Sequence, residues 1–124
     1  KEKPTRFGAA FVAVDGSNGS VLLRRRPPKG LLGGMTEVPG TEWSETFDGS
    51  NALTFAPFKD EWQVCAGEVK HTFTHFHLRL QVFRANTSKD AVKAVDGAWW
   101  SPANQLEDEA LPTVMRKVLA VALG

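Results

Sequence analysis

Two short segments carry the residue types that could do chemistry. The first is Arg24-Arg25-Arg26-Pro27-Pro28-Lys29-Gly30-Leu31-Leu32-Gly33-Gly34-Met35. Basic side chains beside a glycine-rich loop suit phosphates, because glycines leave backbone N–H groups uncovered. The Gly-Lys-Ser/Thr ending of a nucleotide P-loop is missing. A solvated strand end followed by a tight turn would produce the same residues. Arg24, Arg25, Arg26 and Lys29 are the phosphate-binding candidates.

The second segment is His71-Thr72-Phe73-Thr74-His75-Phe76-His77. Continued as one strand, positions 71, 75 and 77 would share a face, but no carboxylate or cysteine lies nearby at a spacing that completes a zinc site. No metal site is expected, and the histidines read as polar-face residues. Phe73, Thr74 and His75 form a different set: an aromatic ring, a small hydroxyl and a ring donor. Such groups can read a base edge.

Other candidates have plainer readings. Glu37, Glu42 and Glu45 could hold magnesium beside a pyrophosphate, but Pro39 and Gly40 deny them a helix face and solvated surface glutamates are expected. Cys65, between Val64 and Ala66, reads as a small buried hydrophobe. Trp43, Trp62, Trp99 and Trp100 read as core or half-buried residues.

These segments need a scaffold. Arg6 to Asp15 and Val21 to Leu23 flank Asp-Gly-Ser-Asn-Gly and read as a β-hairpin. Pro27 and Pro28 stop the second strand. Ser50-Asn51 opens a short helix through Phe58, and Trp62 to Val69 is a further strand. In His75 to Arg84, Phe76, Leu78, Leu80 and Val82 alternate with polar residues, the mark of one buried face. A polar connector covers 85–96. Ala98 to Ser101 is a short strand, and Ser101-Pro102 opens a short helix by serine capping and N1 proline. Leu111, Val114, Met115, Val118, Leu119 and Ala122 mark a closing amphipathic helix, with Pro112 at its start and Gly124 at its end. Strands first and helices last imply an α+β domain with a mostly antiparallel or mixed sheet.

The 124 residues suit one domain, with 1–5 as the end of a linker and 6–124 as the folded unit. The composition, 42% hydrophobic and 23% charged, argues against disorder. A net charge of +1 excludes a general polycation, so nucleic acid would be met through a local patch. No apolar run spans a membrane, and Lys1 to Arg6 does not read as a signal peptide. One cysteine excludes an internal disulfide framework and points to a reducing compartment.

Leu22-Leu23-Arg24-Arg25-Arg26-Pro27, with Gly30-Leu31-Leu32-Gly33-Gly34-Met35-Thr36-Glu37-Val38-Pro39-Gly40, resembles the C-terminal domain of MutY-type adenine DNA glycosylases. Thr36 stands where that family usually has Trp, and Val38 where it has Phe. His71 to Leu78 resembles the family's His-x-Phe-Ser/Thr-His segment, and Trp100 to Gly124 also fits. The resemblance implies a Nudix-like mixed sheet flanked by helices. It implies recognition of 8-oxoguanine opposite adenine in double-stranded DNA by Phe73, Thr74 and His75. Adenine excision would belong to an N-terminal glycosylase domain absent here, which would hold the iron–sulfur cluster. The chain is therefore expected to be an excised, non-catalytic, monomeric domain, without cofactor of its own, from a bacterial cytoplasmic protein associated with the nucleoid. The alternative is a Nudix-type pyrophosphohydrolase acting on an oxidised nucleotide. The Arg-Glu-x-x-Glu-Glu core of such enzymes is missing.

The chemistry of the lesion supports the assignment to Thr74. Oxidation at C8 turns guanine N7 from acceptor to N–H donor and adds a carbonyl oxygen. A hydroxyl can accept from N7–H, while its own proton or an adjacent backbone N–H serves the new oxygen. Losing such a bond in a desolvated site costs about 1–3 kcal/mol, about tenfold or more in preference.

Overall fold

The computed structural model describes residues 2–88 and 97–124. The six-stranded mixed sheet comprises β1 (Thr5–Asp15), β2 (Val21–Arg25), β3 (Thr36–Glu37), β4 (Gln63–Thr72), β5 (His77–Thr87) and β6 (Ala98–Ser101). The order is β3-β2-β1-β5-β4, with β6 pairing β2. β1 and β5 run parallel along their full lengths, from Thr5 beside His77 to Asp15 beside Thr87. The other named strand pairs are antiparallel. The α+β architecture with a mixed sheet expected above is the one found.

Alternation in β1 and β5 creates two faces. Ala10, Val12, Val14, Leu78, Leu80 and Val82 join Val114, Met115 and Val118 of α1 (Thr113–Leu123) in the larger core. All six residues that marked the closing helix are buried. On the opposite face Ala9, Phe11 and Phe83 pack with Ala52 of a 3-10 segment, Gly49–Phe55. Phe11 stacks on Phe83 and meets the Trp62 edge, each at 5.4 Å between centroids.

Several boundaries differ from expectation. The helix expected over 50–58 is that 3-10 segment, capped by the Asp48 carboxylate, which accepts from Ser50 N–H and Oγ. Pro102, and not Ser101, is the N-cap of a second 3-10 segment, Ala103–Asp108; Ser101 is buried, and its Oγ has no hydrogen-bond partner among the described residues. β1 already begins at Thr5, and the Pro4 carbonyl accepts from His77 N–H. The strand expected from His75 begins at His77 because 73–76 form a turn, and it runs on to Thr87. The rest of the expected connector lies in part outside the described residues.

One irregular segment matters for function. Residues 39–44 run antiparallel along the first half of β1, with Phe7 and Ser44 exchanging both backbone bonds at 2.8 and 3.0 Å. This approach depends on two glycines. A Cβ on Gly40 would lie 2.5 Å from the Ala9 carbonyl oxygen, and one on Gly8 would lie 2.7 Å from Trp43 Cδ1. The sequence therefore leaves room beside β1 for one large ring, Trp43.

Candidate nucleic-acid interface

The hairpin of β4 and β5 closes at Thr72 and His77, whose side chains lie 2.8 Å apart between Oγ1 and Nδ1. Phe73 N–H donates to the Phe76 carbonyl at 2.8 Å. Thr74 and His75 form the exposed tip. Thr74 makes no side-chain hydrogen bond to the described residues, so its hydroxyl is available to a ligand.

Phe73 is half-buried beneath this tip. It stacks on Trp43 at 5.9 Å, tilts against Phe76 at 4.9 Å and meets the His71 ring edge-on at 4.7 Å. A guanidinium covers each end of the stack: Arg26 lies 4.9 Å from the Trp43 centroid and Arg6 lies 4.2 Å from that of Phe76. Contacts of this kind contribute about 0.5–2 kcal/mol each, depending on exposure. The row Arg26–Trp43–Phe73–Phe76–Arg6 thus joins the arginine strand to the hairpin turn, and both sequence segments share one end of the domain.

The arginines are not equivalent. Glu37, its side chain only 8% exposed, accepts from Arg24 Nε at 2.7 Å and from Arg26 Nη1 at 2.8 Å. Arg24 also donates to the Gly40 carbonyl, and Arg26 to that of Leu31. The expectation of a solvated Glu37 is thereby corrected: two neighbouring guanidiniums need one counter-charge, and a buried carboxylate supplies it. Glu42 and Glu45 are exposed, as expected. Arg25 and Lys29 are exposed and outside the ion pairs formed among the described residues. In the glycine-rich loop the Gly33, Gly34 and Met35 N–H groups donate to Gly30, Pro27 and Leu32 carbonyls. Those amides are engaged within the loop and do not form an open cradle.

The histidines separate. His71 pairs with Leu78 on the α1 side, whereas Thr72 pairs with His77 on the opposite side. The intervening turn resets the alternation, so 71 and 77 do not share a face. Lys117 Nζ lies 3.0 Å from His71 Nδ1. An ammonium has no lone pair, so Nδ1 accepts and the ring proton belongs on Nε2. Burial, and then the Lys117 charge, push the His71 pKa below its ordinary value and keep the ring neutral. Cys65 is half-buried, and burial raises its thiol pKa, which disfavours a nucleophilic thiolate. Among the described residues no group of three or more His, Cys, Asp or Glu is placed to hold a metal ion.

Sequence reasoning singled out the tip and the arginines. It gave no role beyond packing to Trp43, and none to Arg6, Lys3 or Lys117. Lys3 Nζ donates to the Phe73 carbonyl at 3.1 Å. None of these four sits in a motif; chain folding alone brings them to the turn.

The NUDIX domain family model matches residues 9–121, and the chain belongs to that family. Its likeness narrows to one branch. It is 33% identical to the adenine DNA glycosylase of Homo sapiens over 117 residues, covering 84% of this chain and 21% of the human protein. The C-terminal domain of mouse MUTYH, solved in complex with human PCNA, matches with a TM-score of 0.74 and 27% identity over 94% of this chain and 86% of that one. The MutT protein from Methanosarcina mazei Go1 shares the fold, with a TM-score of 0.73 at 18% identity over 97% and 94% of the two chains. The chain spans about a fifth of the length of the curated relatives it matches. It is thus similar to the C-terminal domain of adenine DNA glycosylases, the setting of a DNA-repair domain.

Proposed function

We propose that this domain reads 8-oxoguanine opposite adenine in duplex DNA on behalf of an adenine DNA glycosylase, and breaks no bond itself. The observation that carries the reading is the exposed Thr74–His75 tip, seated on a row of rings continuous with the arginine strand. The Thr74 hydroxyl accepts from N7–H of the lesion and donates to its C8 oxygen. His75 contacts the flanking backbone. Phe73 anchors the tip, and the uncovered part of its ring meets the duplex. Arg25 and Lys29 are best placed among the arginine-strand cations to meet phosphate, since Glu37 offsets part of the charge of Arg24 and Arg26. With one cysteine, this chain offers no four-thiolate set, so a cluster of the whole protein would be held elsewhere.

The test is Thr74→Ala in the complete glycosylase. Preference for 8-oxoguanine over guanine opposite adenine should fall about tenfold, with adenine excision otherwise intact. Equal discrimination by both proteins removes the base-reading role. Magnesium-dependent turnover of an oxidised nucleoside triphosphate by this chain would favour the pyrophosphohydrolase instead. The carboxylates argue against it: Glu37 is committed to two arginines, and Glu42 and Glu45 stand exposed in an irregular segment.

A further inference from the structure

Three cations from three separate parts of the chain meet at the hairpin turn. Lys3 comes from the lead-in and donates to the Phe73 carbonyl. Arg6 comes from β1 and its guanidinium carbon lies 4.2 Å from the Phe76 ring centroid. Lys117 comes from α1 and donates to the Lys70 carbonyl at 3.1 Å while resting on His71. All three are exposed, and none forms an ion pair with a described residue.

Five arginines elsewhere in the domain are committed, while Arg25, Lys29 and Lys59 stand exposed away from the hairpin turn's carbonyls and rings. Arg24 and Arg26 share Glu37, Arg79 pairs with Glu68, Arg84 donates to the Ala122 carbonyl, and Arg116 donates to the Glu107 and Glu109 carbonyls. Donor accounting sharpens the contrast. An ammonium has three N–H donors and a guanidinium five. Lys3 uses one, Lys117 uses two, and Arg6 uses none in hydrogen bonds to described residues. Fixed cations with unused donors suit an acceptor-only anion that recurs along a polymer.

We propose that Lys3, Arg6 and Lys117 form a phosphodiester track on the α1 side of the hairpin, gripping the DNA backbone beside the nucleotide that Thr74 and His75 read. The inference rests on the DNA-reading function above and moves much of the backbone grip from the arginine strand to the turn. Contacts by these cations carry no sequence information; they set register and supply salt-dependent affinity.

The experiment is an NMR titration of this 124-residue chain with an undamaged duplex and with a duplex holding 8-oxoguanine opposite adenine, at several salt concentrations. Replacing Lys3, Arg6 and Lys117 by Gln should each reduce the slope of log K against log salt by about 0.9. The triple variant should therefore lose about 40-fold less affinity than wild type between 50 and 200 mM salt. Arg6→Lys keeps the charge but not the planar ring contact, so it should retain the slope. Lys59→Gln, exposed before the start of β4, should leave the slope unchanged.

An unchanged slope in a folded triple variant overturns the track, even where the domain still prefers damaged duplex. A reduced slope with no preference for the lesion leaves the track standing and sinks the base-reading tip. Binding to neither duplex at low salt overturns both.

Discussion

At Glu37 one carboxylate faces two guanidiniums, so its replacement acts on stability and on surface charge together. Glu37→Gln should destabilise the domain by about 1–3 kcal/mol; the part-exposed arginines keep the cost below that of a fully buried pair. The same change should steepen the salt dependence of DNA binding, since Arg24 and Arg26 lose their counter-charge. Urea denaturation and the salt slope measure the two effects separately. His71 predicts a pH response. Its folded pKa is lowered, so its contribution is intact above the ordinary histidine value and declines as pH falls below it, when the unfolded chain takes up the proton first. Melting temperature should drop between pH 7.5 and pH 5, and His71→Gln should reduce that drop. Asp48, held low by the Ser50 hydroxyl and then its amide, responds only in the more acidic carboxylate range.

At the scale of elements, the hairpin turn is only as well placed as the segment stacked beneath it. Trp43→Ala removes the ring that joins Arg26 to Phe73 and should lower lesion preference in the complete glycosylase, while Trp43→Phe should restore most of it. Gly8→Ala should reproduce the loss while every ring is kept, because its new Cβ collides with Trp43 Cδ1 and Thr41 Oγ1 and displaces the indole; overpacking of this kind costs about 1–3 kcal/mol. Thermal unfolding and discrimination assays on the same variants separate stability from positioning. β5 and α1 were legible because their apolar residues keep strict periods of 2.0 and 3.6, and each period reports one buried face. Segment 39–44 keeps neither period, so nothing local disclosed that it lies along β1 or that Trp43 ends beside Phe73. The histidine faces were misjudged for a related reason: a turn between two strands breaks the alternation that the residues on either side continue to obey.

For the whole molecule, the parallel pairing of β1 with β5 matters most, and it was the least legible feature of the fold. It joins segments some seventy positions apart, and pairing at that distance depends on closure of the whole chain and not on neighbours. Both cores hang on these two strands. Leu80→Ala, at a fully buried site, should cost about 2–5 kcal/mol, a large part of the total stability of a domain this size, and chemical denaturation will read it. The tip and the arginines, by contrast, were legible as unusual combinations of residue types without a packing rationale. Their common end of the domain was not, since it follows from the register of Thr5 against His77.

β4 terminates the sheet on one side, and it is not a smooth strand. Its register slips between Val64 and Glu68, Gly67 adopts a φ of +87°, and charged Glu68 and Lys70 follow. A straight border of unpaired amides and carbonyls would template a strand from a second molecule; a kinked border carrying charge does not. The slip therefore guards the domain against edge-to-edge self-association. The slip amounts to two residues, so straightening it by deleting Ala66 and Gly67 together should yield a protein that clumps as its concentration rises, a change visible by light scattering.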